Sequence, residues 1–390
     1  GAVIVDEQGR VVYAPLVDAL NSYFGTSVPY GYQTFSGGVF EAWYYAMFFV
    51  VPKKRSARVY ISAGEYYFPP SSLNPFTSGE PLVSVNVLNM AYDFEVFGDG
   101  DATIIHLPPN TSGTSAASYL IGYENPYPGH TFTLRDVRVV NDTYKVAQRY
   151  GLSTNGYSGL IMTWGGPGNP SPPPHANSGY GPGVRLINIH YIIDGGDAGW
   201  AAWFNTTYGV EVRGWRQENL SFHGVYDGGN ILFDSVSNGF VADSTFIDYT
   251  GSQSLNVVDD GTGVVQVSNI TVLGSWASVL QMGSCDNSSG IQASGINMDS
   301  GWHQVYYFGP GIGPKCVVSL SGTQGRVSIS NSRLITGIVC DGGGNSAQVV
   351  ITGSEIENVL GALNVLANGQ QSNSYIPITI ADSLLLDAFL

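Results

Sequence analysis

The amino-acid sequence predicts an all-β protein in which short strands follow one another in coils and each coil stacks on the last. Three observations lead there: a six-residue pattern that recurs along most of the chain, a composition that favours strands and turns, and a large apolar fraction with little charge. The 390 residues include 51 Gly and 24 Tyr, and 43% are hydrophobic while 12% are charged. Tyr suits strands, Gly and the abundant Ser, Asn and Thr suit turns, and long charged helix-forming stretches are absent. Because a coil in such a stack needs only its neighbours, a chain of this length is expected to fold as one column.

The recurring pattern is an apolar residue, a variable residue, then Asn, Asp or Gly, two variable residues and a second apolar residue. Nine copies centre on Asp136, Asn188, Asn219, Asp243, Asn269, Gly295, Asn331, Gly353 and Asp382, at intervals of 52, 31, 24, 26, 26, 36, 22 and 29 residues. The position two before the centre is apolar in all but Gln217, and the position three after it is apolar throughout, from Val139, Tyr191 and Phe222 to Leu385. Asn, Asp and Gly best tolerate the left-handed backbone that bends one strand into the next without a Cβ clash. Each copy therefore reads as strand, tight corner, strand. A further apolar strand follows in NILFDS (230–235), SLNVVDD (254–260), SVLQMGS (278–284), QVYYFGP (304–310), TGIVCDG (336–342) and GALNVLAN (361–368). Three strands make a coil, and equivalent strands of successive coils pair in parallel about 4.8 Å apart.

Residues 1–56 are expected to cap the first coil, whose strand edge and core would otherwise be open. Within them PLVDALNSYF (15–24) reads as a short helix with Leu16, Ala19, Leu20 and Phe24 on one face. Residues 57–390 are assigned to the coils. The apolar run Phe40–Val51 is too short to cross a bilayer and carries Glu41, so it reads as buried structure. GGPGNPSPPPHANSGYGPG (165–183) is too rich in Pro to supply ladder donors and reads as a surface loop inserted after GLIMTW (159–164). No secretion signal is read at the start of the chain. Cys285, Cys316 and Cys340 are odd in number and lack metal spacing, so they imply neither a disulfide framework nor a zinc site. Six sequons begin at Asn110, Asn141, Asn205, Asn219, Asn269 and Asn287, against roughly four expected by chance, a small excess over the sequon rule that favours an extracellular location. With 15 Lys+Arg against 30 Asp+Glu the net charge is −15, which excludes the basic face that nucleic-acid binding needs.

The corner pattern resembles the right-handed parallel β-helix of the pectate-lyase-like superfamily, with Asn stacked at one corner. ARVYISAGEYYF (57–68) followed by FEVFGDGDATIIHL (94–107) is similar to the first strands of phage tailspikes and related glycan-active proteins, through Gly64, Tyr66, Gly98, Asp99, Gly100 and Thr103. The resemblance implies a single-stranded right-handed parallel β-helix over residues 57–390 and leaves the activity open, since this scaffold carries lyases, hydrolases, epimerases, adhesins and structural columns. It also implies side-by-side homo-oligomers, typically trimers.

Candidate chemistry follows from stacking, because residues one repeat apart in sequence lie one coil apart in space. Asp234 and Asp260 each lie nine residues before a corner, and Asp259 ten, so Asp234 is expected beside the Asp259–Asp260 pair, with Asn205 one coil earlier. Strand alternation would turn Ile231 and Phe233 inward and Leu232 and Asp234 outward. Two carboxylates at such spacing are what glycoside hydrolysis needs, one as acid and one as nucleophile or base. The Asp259–Asp260 pair with His223-Gly224 is also similar to a polygalacturonase site, but His223 precedes the pair and no basic motif follows. Trp164, Trp203 and Trp276 fall near strand ends, where an indole can stack on a sugar ring. Asp234, Asp259 and Asp260 are thus the candidate catalytic residues, and Trp164, Trp203, Asn205 and His223 the candidate substrate-binding ones. His175, His190, His223 and His303 share no spacing for a metal. DGGD (194–197), DGGN (227–230) and DDGTG (259–263) could offer oxygen ligands to Ca²⁺ but lack an EF-hand or nonapeptide repeat and read better as turns, so no cofactor is expected. A field of net −15 repels polyanions and disfavours a pectate-type lyase.

Three readings stand open at this point. The first is an extracellular or virion-surface protein that binds cell-surface glycans without cleaving them; the second is a glycoside hydrolase acting on a neutral polysaccharide through the paired Asp; the third is a structural column of a virion or surface layer.

Overall fold

A computed structural model describes residues 2–6, 11–12, 21–22, 25, 39–47, 56–70, 73, 83–87, 92–111, 118–124, 130–154, 156–164, 183–196, 200–207, 209–222, 231–236, 238–248, 255–258, 263–274, 278–287, 289–299, 316–358, 364–366 and 374–387. They fall into two compact units. One comprises Gly1–Pro170, Gly179–Trp203 and Leu220–Gly229, the other Ser171–Ser178, Phe204–Asn219 and Asn230–Leu390. In each, strand after strand crosses over to pair in parallel, the connection that is right-handed almost without exception. Each unit is built from coils of a right-handed parallel β-helix.

In the first unit the strand Ala57–Ile61 lies parallel to Phe94–His106, which lies parallel to Phe132–Asn141 and that to Val184–Gly196. The register stacks Val59, Val96, Leu134 and Leu186 in one inward column, each fully buried. A second ladder pairs Val83–Val87 with Ser118–Glu124 and that strand with Ser158–Trp164. Ala2–Asp6 runs antiparallel along Ala57–Ile61, so that strand is paired on this side too. The apolar run from Phe40 does form a helix, Val39–Tyr45. Its Trp43 is fully buried and meets Phe68 and Phe94 edge-on, with ring centroids 6.0 and 6.1 Å apart. Among the described residues no helix is long and apolar enough to cross a membrane. The expected helix at 15–24 and the loop at 165–183 lie essentially outside the described residues.

The glycine-rich first strands have a packing reason. Thr103 Oγ1 donates to the Ile61 carbonyl at 3.0 Å and accepts the Asp99 N–H at 2.8 Å. A Cβ at Gly98 would come within 2.7 Å of that same Thr103 side chain, so only glycine fits there. Asp99 Oδ2 in turn accepts Tyr60 Oη at 2.6 Å and the Ala63 N–H at 3.0 Å.

In the second unit Gly239–Asp248, Val264–Gly274 and Gly290–Asp299 pair in order. They are followed by the split strands Arg326–Ser330 with Arg333–Ile335, Gln348–Thr352 with Glu355–Asn358, and Ile378–Ala381 with Leu384–Asp387. Eight of the nine expected centres have left-handed backbone, with φ between 49° and 64°. The positions three after them are buried at Val139, Tyr191, Phe246, Val272, Met298, Leu334 and Ile356, whereas Leu385 is 48% exposed.

Three expectations are corrected. Asn219 is not a corner. It lies in a strand opposite Asp248, and the corner of that coil is Gly214, with φ 67°, between Arg213 and Arg216, which pair with Ala242 and Thr245. The strand that pairs with Ser278–Gly283 is Cys316–Ser321, and QVYYFGP (304–310) lies outside the described residues. Cys316 and Cys340, 24 residues apart, form a disulfide, and Cys285 is buried.

The sequons lose much of their weight. Asn110, Asn141 and Asn219 are fully buried, and a glycan cannot be carried on a side chain packed inside the fold.

Candidate functional site

In the second unit the residues two and four before each corner point into the core, so those one and three before it face outward. Register then converts them into two ladders. Phe240, Gln266, Gln292, Ser328 and Val350 form one, and Ser268, Ser294, Ser330 and Thr352 the other. Together with Arg326 these side chains line an open groove of about 570 Å³. Crossing five coils takes four steps of about 4.8 Å, so the groove runs about 19 Å across the strands.

At one end the Phe240 ring lies under the Arg213 guanidinium, 5.0 Å from its centroid. Arg213 is held there by Asp243 at 2.8 Å and Glu211 at 3.3 Å. Hydrogen bonds from Asn269 and then from Arg213 keep the Asp243 carboxyl below the usual carboxylate range. Among the described lining residues there is neither a carboxylate nor a histidine. Primary amides donate and accept, hydroxyls do both, and the aromatic ring offers a flat apolar face. Such a lining suits contacts with a polyhydroxylated chain.

The first unit carries a different cluster. His106 Nδ1 lies 2.9 and 3.0 Å from the two carboxylate oxygens of Asp142, and its ring stacks on Tyr67 at 4.0 Å between centroids with 8° between planes. Tyr67 Oη donates to Glu65 at 3.0 Å, and Arg149 lies over the Tyr67 ring at 4.0 Å. Burial and then the Glu65 hydrogen bond push the Tyr67 phenol up. Nearby in the register, where Glu65 faces Ile104, Ile104 faces Arg138 and Arg138 faces His190, Asp101 accepts from His190 Nδ1 at 2.7 Å. Desolvation would raise the Asp101 carboxyl, but the hydrogen bond and charge of His190, followed by Arg138, outweigh it and hold it low. The His106–Asp142 pair joins a strand to the helix Thr143–Tyr150.

The sequence-based site residues are not assembled among the described residues. Asp234 is partly exposed on Ile231–Val236, and Ile231 and Phe233 are buried as expected; Leu232, expected outward, is only 6% exposed. Leu232 pairs with Asn256 and Phe233 with Val257, so continuation of the register brings Asp234 level with Val258. Counting nine residues back from each corner put it level with Asp260, two residues further on. The count fails because the link from Leu255–Val258 to its next strand is longer than the link from Ile231–Val236 to its own. Asp259, Asp260, His223 and Trp276 lie outside the described residues. Trp203 and Asn205 are partly exposed on Ala202–Thr207, and Trp164 ends the strand Ser158–Trp164.

The groove was missed because it contains no charged constellation. Its signal is the alternation in VQVSN (265–269), IQASG (291–295) and VSISN (327–331), where amides and hydroxyls occupy the outward places at one register.

No protein-family model matches the chain, and none of the curated proteins does. Among solved structures it is similar to the A-module of mannuronan C-5 epimerase AlgE6 of Azotobacter vinelandii, at 15% identity over 87% of this chain and 89% of that one, with a TM-score of 0.34. It is also similar to the A-module of AlgE4 of the same organism, at 13% identity over 91% and 92%, TM-score 0.25. A third is the periplasmic alginate epimerase AlgG, at 9% identity over 97% and 99%, TM-score 0.25. Similarity of this extent leaves the fold to rest on the chain's own strand pairing and says nothing of its activity.

Proposed function

We propose that this is a glycan-binding β-helix protein, exposed on a cell or virion surface, that holds a polysaccharide along the groove of its second unit without cleaving it. The observation that carries the reading is the pair of outward ladders. Amide and hydroxyl groups recur in three successive coils, Gln266 with Ser268, Gln292 with Ser294 and Ser328 with Ser330, and one coil step is close to the length of one sugar unit. A chain laid across the strands would meet a donor and acceptor set in each of these three coils, with Phe240 beyond one end and Val350 beyond the other. The Cys316–Cys340 disulfide suits an oxidising, extracytoplasmic compartment. Asp234 is level with Val258, one residue before the Asp259–Asp260 pair, and the described groove lining, which carries this reading, includes no carboxylate or histidine.

A glycan array probed with the whole chain, beside the double variant Gln266→Ala/Gln292→Ala and the groove-filling Ser294→Tyr, tests the reading. Binding to a defined set of glycans, weakened at least tenfold in both variants at unchanged melting temperature and without release of reducing ends, is the expected result. An array without binding, or binding indifferent to both variants, would refute it.

A further inference from the structure

Resting on the reading of the groove as a glycan site, we propose that the bound polymer carries an oxyanionic substituent, a carboxylate, sulfate or phosphate, and that Arg326 is the residue that selects it. Six arginines, Arg58, Arg135, Arg138, Arg213, Arg216 and Arg333, each meet a carboxylate. Among the described residues Arg326 meets none. Among the described residues its side chain meets Ser328, to whose Oγ its Nε donates at 3.1 Å. That bond fixes the Nε side of the guanidinium and leaves its terminal nitrogens to the groove.

The neighbours across the ladder keep this cation accessible. Arg326 pairs with Gly290 on one side and Gln348 on the other, so neither contributes a counter-charge. Gly290 contributes no side chain at all, and a Cβ there would lie 2.7 Å from the Arg326 carbonyl oxygen. The position beside the guanidinium is therefore held open by packing. A planar fork with free terminal N–H groups matches two oxygens of one oxyanion. The net charge of −15 sets a limit on the ligand, because a densely charged polyanion would be repelled. The fitting polymer is mostly neutral, with an acidic unit seated at Arg326 and neutral units over the Gln and Ser ladders.

The test uses matched oligosaccharides in neutral, uronic-acid, sulfated and phosphorylated forms, titrated against the wild-type chain, Arg326→Gln and Arg326→Lys in low and high salt. The expected result is that one acidic class binds about tenfold tighter than its neutral counterpart, the scale of a charge-assisted hydrogen bond. That ratio should fall to about one in Arg326→Gln, be partly kept in Arg326→Lys, and shrink with salt in the wild type. Which class gives the ratio identifies the oxyanion. Binding with no preference for acidic forms, or a preference that survives Arg326→Gln, overturns this inference and leaves the groove as a glycan site. Failure of every glycan to bind overturns both.

Discussion

At the corners of the second unit one serine hydroxyl does two things at once. Immediately after the left-handed residue, Ser332 Oγ donates to its own Ser330 carbonyl at 2.8 Å and accepts the Ile296 N–H of the preceding coil at 3.0 Å. Ser354 repeats this with Thr352 and Ser332, and Ser244 with Ala242 and Trp215. A corner cannot continue the strand ladder, so its amide needs another acceptor, and the hydroxyl supplies one inside the fold. Ser332→Ala would leave the Ile296 amide buried without a partner. The expected loss is about 1–3 kcal/mol in urea denaturation, larger than for Ser328→Ala, whose hydroxyl faces the groove. The corner residues themselves were legible because Asn, Asp and Gly tolerate positive φ best. Gly214 escaped notice for an equally local reason. Three residues after it stands Gln217, fully buried, accepting from Trp215 Nε1 at 3.2 Å and donating to Asn219 at 2.9 Å. A pattern that demands an apolar residue there moves the corner to Asn219, because it cannot see a polar side chain satisfied by its neighbours.

Between elements, legibility depended on loop length. The corner strands are locked to the repeat, and their stacking could be counted from the sequence. The ladder containing Asp234 is reached through loops of unequal length, and a two-residue difference was enough to separate Asp234 from the position expected for it. The His106–Asp142 link was invisible for the same reason: it joins residues 36 apart across an interval that no repeat predicts. Both side chains are more than nine-tenths buried, at 9% and 8% exposure. Removal of one partner of such a pair strands the other in a low-dielectric site. His106→Ala is expected to cost about 3–5 kcal/mol and to raise amide exchange in the helix Thr143–Tyr150 before the corner strands of the second unit respond. Equal acceleration everywhere, or no loss of stability, would show that the pair does not hold this helix.

For the molecule as a whole, the same feature that made the fold legible made the function hard to read. Repetition writes the core into the sequence as evenly spaced apolar residues, and the outward ladders repeat at the same period without any residue type that announces chemistry. Low charge density leaves Gln, Ser and Thr to line the groove, and those residues are common on any β surface. Only the register shows that they face one way over successive coils. The most direct measurement of the central claim is a crystal structure of the protein soaked with an oligosaccharide that the array selects. Sugar rings are expected to run across the strands over Gln266, Gln292, Ser268 and Ser294, about one ring per coil step, with the glycosidic bonds intact. Density for the sugar on the His106 and Asp142 face with the groove unoccupied, or a cleaved product, would contradict it.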